Sequence, residues 1–235
     1  MNYSALAQLQ TLEKTYRPSQ TISHTLGRKN LIMFVAPVAC GKTFIMNHIV
    51  ELDKRFGRVP VFTTREPRAD DDMGMFRTLP HDEEHIASIL QKVKAGTVVQ
   101  YAVHPTSERV YGSEIQDYPA EYNMLATLSN VVEQMKQLPF QKVFIVGLVT
   151  RPEAWLSWFT KRYPKPNQEK QKRQQEALQS LTWLINNSNI IIWAENIDNQ
   201  PTKTAHTIID AILYNKREDK RALAEELFHA IKEMK

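Results

Sequence analysis

The sequence predicts an α/β fold in which helices cover both faces of a parallel central sheet. Short, partly β-branched apolar runs recur along the 235-residue chain, and helical segments separate them. This alternation is typical of parallel sheets, because parallel strands need long crossover connections, which are usually helices. A chain of this length with 42% hydrophobic residues can bury the core of one such domain. The predicted strands are 31–36, 59–63, 98–103, 122–128, 143–149 and 190–194.

The predicted helices between and after these strands are 43–56, 82–94, 129–137, 152–162, 168–186 and 202–214. Two flanking segments, 3–16 and 217–235, also carry apolar residues at helical spacing, which predicts an amphipathic helix in each. We expect both to pack onto the sheet domain, and the alternative is that one of them forms a homo-oligomer or partner interface. The predicted organisation is an N-terminal helical extension at 1–29, a core domain at 30–214 and a C-terminal helix at 215–235.

Composition and charge exclude several classes of protein. The single cysteine, Cys40, excludes a disulfide framework and a multi-cysteine zinc site, which favours a reducing cytoplasm as the location. No apolar run approaches the roughly 20 residues that a bilayer requires, and the N-terminus lacks the apolar core of a signal peptide, so we expect a soluble protein without membrane partners. The 30 basic and 26 acidic residues leave a net charge of +4, too small an excess to indicate a nucleic-acid partner.

The strongest local pattern is the run APVACGKT at 36–43, which follows a predicted strand and opens a predicted helix. It resembles a Walker A loop, in which backbone N–H groups and the helix N-terminus cradle phosphate, the lysine reaches the β- and γ-phosphates, and the hydroxyl residue ligates Mg²⁺. Gly41, Lys42 and Thr43 match these roles, so Thr43 is the predicted metal ligand. The pattern predicts an ATP-binding loop and the three-layer fold of P-loop NTPases.

Three other residues belong to the same predicted loop. Ala36 stands at the usual first glycine and Ala39 at a second position where glycine is common, and alanine has less backbone freedom at both. Cys40 could be a nucleophile, but no histidine-bearing motif is present to activate it, so we interpret it as a structural residue. All three are predicted to contribute to the ATP-binding loop.

Twenty residues after this loop, the sequence at 63–68 is TTREPR, and acidic residues and Gly74 follow it. Two arginines separated by a proline can contact one phosphate from two directions, and the planar guanidinium suits bidentate binding. Arg65 and Arg68 are therefore candidate phosphate ligands. The aspartates at 70–72 fall in a turn after a proline, where a charge run is expected to be a solvated face rather than a metal site.

The TTRxPR segment resembles the corresponding segment of guanylate kinases, a family of P-loop nucleoside monophosphate kinases. The resemblance of the chain to this family extends over about residues 30–214. It implies that an acceptor-binding part at about 60–120 grips the phosphate of a nucleoside monophosphate. QYAV at 100–103 and YGS at 111–113 resemble the family's ExAx and YGT/S pair, and Phe76 lies near an acceptor-site tyrosine of the family. The resemblance implies these acceptor-binding residues: Thr64, Arg65, Arg68, Phe76, Gln100, Tyr111 and Ser113.

Gln100 stands where guanylate kinases place a glutamate that accepts two N–H groups of guanine. A glutamine side chain offers one acceptor oxygen and two donors instead. The strand predicted at 122–128 also ends without the aspartate that the family has there. The resemblance implies GMP as the acceptor, and these substitutions leave another nucleotide, or a phosphorylated small molecule such as a ribose bisphosphate, as alternatives.

A third, basic pattern follows the strand predicted at 143–149. Arg162 ends a helical stretch and Arg173 follows eleven residues later, a spacing that resembles the two arginines of the guanylate kinase lid, here at about 160–176. Lid arginines stabilise the charge of a transferring phosphoryl group and help to exclude water. The alternative is a solvated basic helix. Further on, Asn196 resembles the asparagine of a turn that borders the adenine of ATP in this family.

Together these patterns predict ATP-dependent phosphoryl transfer to a nucleoside monophosphate, with Mg²⁺ as cofactor and ATP as co-substrate. Lys42, Arg162 and Arg173 are the predicted catalytic residues, since positioning and charge neutralisation suffice for an acceptor phosphate that is already ionised. One alternative is a catalytically inactive guanylate kinase-like binding module, which Ala36 and Ala39 favour and the retained cations oppose. A second alternative, nucleic-acid binding through the basic lid, lacks interleaved aromatic residues.

Overall fold

The computed structural model describes residues 4–67, 71–72, 74–104 and 107–234. Its strands, numbered in chain order, are β1 Asn30–Val35, β2 Phe56–Arg58, β3 Val61–Thr63, β4 Phe76–Thr78, β5 Val98–Val103, β6 Val110–Glu114, β7 Tyr122–Ala126, β8 Lys142–Val149 and β9 Ile192–Glu195. Its α-helices are α1 Ala5–Leu12, α2 Gln20–Leu26, α3 Lys42–Leu52, α4 Glu83–Lys94, α5 Val132–Met135, α6 Pro152–Arg162, α7 Gln168–Asn186, α8 Pro201–Tyr214 and α9 Arg221–Glu233. Within this described part of the chain, no helix is long and apolar enough to cross a membrane.

Five of the strands form a parallel central sheet in the order β2-β7-β1-β8-β9. β1 lies in the middle, and all six of its residues are buried, as its unbroken apolar run predicted. β8 and β9 pair in parallel, with Val146 opposite Ile192 and Val149 opposite Glu195. The predicted α/β fold class, a parallel central sheet with surrounding helices, is therefore confirmed.

Two compact units make up the chain, and each combines segments that are distant in sequence. The described residues of the first unit fall in 1–30, 57–123 and 133–142, and those of the second in 31–56, 124–132 and 143–235. The N-terminal extension therefore belongs to the unit that contains the predicted acceptor-binding residues. The C-terminal helix belongs to the unit that contains the predicted ATP-binding loop.

The first unit is built on a second sheet, of four strands in the order β4-β3-β6-β5. β3 pairs in parallel with β4 and antiparallel with β6, and β5 pairs antiparallel with β6. One sheet face contributes to a core with α1 and α4 that includes Leu9, Phe62, Ile89, Tyr101 and Val110. The Tyr101 hydroxyl also donates a hydrogen bond to the carbonyl of Leu9, 2.9 Å away, which ties α1 to β5. The N-terminal amphipathic segment thus packs onto a sheet.

The expectation that residues 59–63 and 98–103 join the parallel sheet is wrong, because β3 and β5 both belong to the four-strand sheet. Only six residues separate β5 from β6, too few for a crossover connection, so the two strands pair antiparallel. Sequence reasoning also missed α2, β2, β4 and β6. These elements are short, since β2 and β4 have three residues, β6 has five and α2 has seven, which leaves little periodicity to detect.

In the second unit, α3 packs against α8, and α9 packs against α6 and α7. α9 buries residues that include Ala224 and Ile231. Gln174 on α7 donates hydrogen bonds from Nε2 to the carbonyl of Ile231, at 2.9 Å, and to that of Met234, at 3.3 Å. The C-terminal amphipathic segment therefore packs on the helix that carries Arg173.

Candidate functional site

The loop between β1 and α3 has the backbone shape of an anion-binding site. Ala39 and Gly41 both adopt left-handed conformations, with φ of 63° and 81°. α3 begins at Lys42, and no side chain of the described residues caps its N-terminus. The N–H groups of the first turn and the positive end of the helix dipole are therefore available to an anion such as phosphate.

Lys42 bends back over this loop, and its Nζ donates a hydrogen bond to the carbonyl of Ala36, 3.0 Å away. Burial lowers the pKa of Lys42, Arg162 lowers it further, and Glu176 acts in the opposite direction. A bound phosphate would place negative charge beside the ammonium and favour its charged form. Thr43 is exposed at the start of α3. Its hydroxyl oxygen suits Mg²⁺, whose other ligands would be phosphate oxygens and water.

Cys40 faces the interior of the second unit. Its side chain is buried, and the thiol donates to the carbonyl of Leu148 with Sγ 3.4 Å from the oxygen. Burial raises the pKa of this thiol to about 12, and Lys42 opposes the shift only in part. The thiol is therefore protonated at neutral pH, which suits a structural residue and not a nucleophile.

Two side chains hold the loop from outside it. Asn196 donates a hydrogen bond from Nδ2 to the carbonyl of Cys40 at 3.0 Å. Trp155 donates from Nε1 to the carbonyl of Val38 at 2.9 Å. The hydroxyl of Thr150 in turn donates a hydrogen bond to the backbone carbonyl of Asn196 at 2.7 Å, which holds Asn196 in position against the loop. The loop is thus held in place before any ligand binds.

Gly41 and the buried Asn196 are in close contact. A Cβ at position 41 would overlap the Nδ2 atom of Asn196, so glycine is required there for space as well as for its positive φ. The resemblance to guanylate kinases predicted that Asn196 borders adenine, and the structure shows its amide bonded to the loop. Sequence reasoning missed Trp155 and Thr150 altogether, because nothing in their local sequence marks them as partners of the loop.

A pocket of about 510 Å³ opens beside the loop. Ala39, Gly41 and Asn196 line it, together with the aromatic residues Phe44 and Trp158. Phe44 is 53% exposed, so its ring is accessible. A planar base attached to phosphates on the loop would find aromatic surface in this pocket.

The two predicted lid arginines lie on consecutive helices of the second unit. Arg162 is the last residue of α6, and Arg173 lies in α7. The guanidinium of Arg173 forms ion pairs with Glu176, at 2.8 Å, and with Glu169, at 3.6 Å. Its Nε atom is buried and has no hydrogen-bond partner among the described residues. Arg162 is close enough to Lys42 to affect its pKa, so these cations belong to one electrostatic cluster.

In the first unit, predicted acceptor-binding residues share the sheet face that is turned away from the core. Tyr111 and Ser113 lie on one face of β6, because side chains alternate along a strand. Gly112, between them, packs against the core residue Phe62 on the other face. Gln100 on β5 pairs with Ser113, so it lies on the same face as Ser113 and Tyr111. Strand register thus brings three of the predicted residues together.

Arg65 is the centre of a polar cluster that follows β3. Its guanidinium forms an ion pair with Asp71 at 2.8 Å and lies over the ring of Phe76, 4.9 Å from the ring centroid. Burial disfavours charge on Arg65, but hydrogen bonds and charge interactions with Asp71 and Tyr111 outweigh it and raise the pKa of the guanidinium. The structure therefore brings Arg65, Phe76 and Tyr111 together. Arg68 lies outside the described residues.

Thr64 and Ser113 are buried, and their hydroxyls bond to protein groups. The Thr64 hydroxyl accepts a hydrogen bond from the backbone N–H of Val110 at 2.9 Å. The Ser113 hydroxyl accepts one from Nε2 of Gln100 at 3.2 Å and is bonded to the hydroxyl of Tyr118 at 2.7 Å. Ser113 therefore orients the amide of Gln100 from within the unit.

The acidic run after TTREPR is not a solvated face in the part that the structure describes. Asp71 pairs with Arg65, and Asp72 pairs with Arg58. The two arginine side chains are only 11% and 13% exposed, and a buried guanidinium needs a counter-ion. Asp70 lies outside the described residues. Among the residues that are described, no group of three or more His, Cys, Asp or Glu side chains could hold a metal ion.

The parallel central sheet and the helices around it define an α/β fold, in which the loop before α3 follows the central strand β1. No protein-family model matches the chain, and no curated protein matches it. Among solved structures, the chain is similar to guanylate kinase from Anaplasma phagocytophilum. The likeness covers 83% of this chain and 89% of that chain, with 13% sequence identity and a TM-score of 0.44.

Proposed function

We propose that the chain is a nucleoside monophosphate kinase that transfers the terminal phosphate of ATP to an acceptor nucleotide. The observation that carries the proposal is the loop before α3, where a left-handed Gly41, an uncapped helix N-terminus and Lys42 occur together. Backbone N–H groups and a lysine ammonium form a site suited to a triphosphate. The adjacent pocket, with Phe44 and Trp158, supports a place for the base of the same nucleotide.

The catalytic side chains act by charge and position. Lys42, Arg162 and Arg173 neutralise negative charge on the phosphoryl group during transfer. Mg²⁺, when bound through Thr43 and the phosphates, would supply further neutralisation. The acceptor is a phosphate oxygen that is already ionised near neutral pH, so the reaction needs no strong general base.

Arg65 is the residue that we assign to the phosphate of the acceptor. It already pairs with a carboxylate, that of Asp71, and it is supported by Tyr111 and Phe76. A phosphate can take the place of such a carboxylate, since both accept hydrogen bonds from a guanidinium. GMP is the acceptor that we propose first. Because the amide of Gln100 offers only one acceptor oxygen to guanine, other nucleotides and a ribose bisphosphate are alternatives.

A second candidate is a binding module that grips phosphorylated partners without catalysis. It is favoured by the internal contacts of the donor-side cations, since Lys42 is bonded to the carbonyl of Ala36 and Arg173 to Glu176. Retention of all three cations in one unit opposes it, because a binding module has no use for charges that neutralise a transferring phosphoryl group.

The test measures ADP formation with ATP, Mg²⁺ and a panel of nucleoside monophosphates. Lys42→Ala should abolish transfer without lowering the melting temperature, because the lysine ammonium acts on phosphate charge. Lys54→Ala, which removes an exposed lysine near the end of α3, is the matched control and should turn over like the parent. Arg65→Ala should weaken monophosphate binding in calorimetric titrations and leave triphosphate binding intact.

Four outcomes decide between the candidates. Transfer that depends on Lys42 supports the kinase. Monophosphate binding without transfer in the parent protein supports the binding module. Equal transfer by the parent and Lys42→Ala, or the absence of binding to every nucleotide, refutes the proposed function.

A further inference from the structure

A carboxylate lies among the cations that we assign to the donor phosphates. Glu176 is bonded to Arg173 at 2.8 Å, and its side chain is only 26% exposed. The negative charge of Glu176 also acts on the ammonium of Lys42. Arg162 lies near enough to act on the same ammonium in the opposite sense. One internal carboxylate therefore neutralises part of a site where three cations gather.

The contact with Glu176 leaves the guanidinium of Arg173 only partly satisfied. Glu176 bonds to Nη1, while Glu169 lies 3.6 Å from Nη2 and is 58% exposed. The buried Nε has no partner among the described residues. A buried N–H without a partner is unfavourable, and a phosphate oxygen is a strong acceptor for it. Glu176 therefore satisfies Arg173 only in part, and a phosphate that took the place of this carboxylate would offer more oxygens to the guanidinium.

We propose that Glu176 stands in for the donor phosphate when no nucleotide is bound, and that its displacement sets the affinity of this site for triphosphates. The inference rests on the proposed function, which assigns Lys42 and Arg173 to those phosphates. Carboxylate and phosphate compete for the guanidinium of Arg173, because both bind it through negatively charged oxygens. A triphosphate must therefore separate Glu176 from Arg173 when it binds, and the lost ion pair weakens its binding.

Calorimetric titration of inorganic tripolyphosphate into the parent and Glu176→Gln proteins tests this competition. Glutamine keeps the size of the side chain and removes its charge. We expect the variant to bind about five- to tenfold more tightly at low salt, with a smaller gain at high salt, as for the loss of one partly buried ion pair. Glu169→Gln is the matched control: it removes the exposed partner of Arg173 and should change affinity less than about twofold.

The outcomes separate this inference from the function on which it rests. Weaker tripolyphosphate binding by Glu176→Gln would show that Glu176 positions Arg173 for the ligand, and unchanged binding would show that the two anions do not compete. Either result overturns the inference alone. Absence of tripolyphosphate binding by the parent would overturn the proposed function and the inference with it.

Discussion

Replacing Gly41 with alanine tests how the loop before α3 is built. Gly41 has a φ of 81°, a left-handed conformation that an alanine adopts only with strain. The new Cβ would also overlap Nδ2 of Asn196, which donates a hydrogen bond to the carbonyl of Cys40 at 3.0 Å. Because Asn196 is buried, displacement of its amide leaves two polar groups without partners.

These costs add to a loss of about 1–5 kcal/mol in the free energy of unfolding. The left-handed conformation costs alanine about 1–2 kcal/mol. The broken hydrogen bond and its unpaired groups cost about 1–3 kcal/mol. Alanine also reduces the entropy of the unfolded chain, which offsets about 0.4–1 kcal/mol of the loss.

Urea unfolding followed by circular dichroism measures the loss, and Gly74→Ala is the matched control. Gly74 has a φ of 82°, and no described atom lies within 4 Å of where its Cβ would be, so it reports backbone strain alone. Gly41→Ala should cost at least about 1 kcal/mol more than the control. In an Asn196→Ala background this excess should disappear. Equal costs at both glycines, or an excess that persists without the Asn196 side chain, would refute the reasoning.

Two further predictions concern Cys40 and Gln100. Because burial raises the pKa of Cys40 to about 12, the thiol should resist iodoacetamide at mildly alkaline pH in the folded protein and react fully in concentrated urea. Mass spectrometry measures the labelling, and rapid labelling of the folded protein would contradict the burial of this thiol. Gln100→Glu should raise the ratio of GMP to AMP turnover by about ten- to hundredfold. A carboxylate can accept both guanine N–H groups, whereas the amide places its own N–H donor against one of them. Turnover of both monophosphates by the two proteins measures the shift. Strong GMP selectivity in the parent, unchanged or weakened by the glutamate, would show that Gln100 does not read the base.

The central sheet could be predicted because the apolar residues of its strands indicate that those strands are buried. β1 is apolar along nearly all of its length and buried throughout, as a central strand requires. β5, at Val98–Val103, has a similar apolar run but belongs to the other sheet. Its partner is determined by the short connection to β6, and not by its own residues, so an apolar run alone could not assign it.

The conformation of the loop before α3 could also be predicted, because the glycine at 41 and the helix start at Lys42 are recognisable from adjacent residues. The partners of the loop could not. Asn196 is 156 residues from Cys40 in sequence, and Trp155 is 117 residues from Val38, so only the folded chain brings them together.

The acidic run shows the same limit for charged residues. Sequence alone favours a solvated face for Asp71 and Asp72, because most charge runs are exposed. The partly buried guanidinium groups of Arg65 and Arg58 bind these carboxylates instead. Whether an arginine is buried beside an aspartate depends on the tertiary structure, and a local sequence pattern cannot show it.

Gln174, next to Arg173 in the chain, holds the carbonyls of Ile231 and Met234 at the end of α9. Because the acceptors are backbone carbonyls, these bonds depend on the amide at 174 and on the presence of α9, and not on the side chains at 231 and 234. Descendants of this chain that retain Arg173 in place should inherit the amide at 174 and the C-terminal helix together, and lineages that lose one should lose the other.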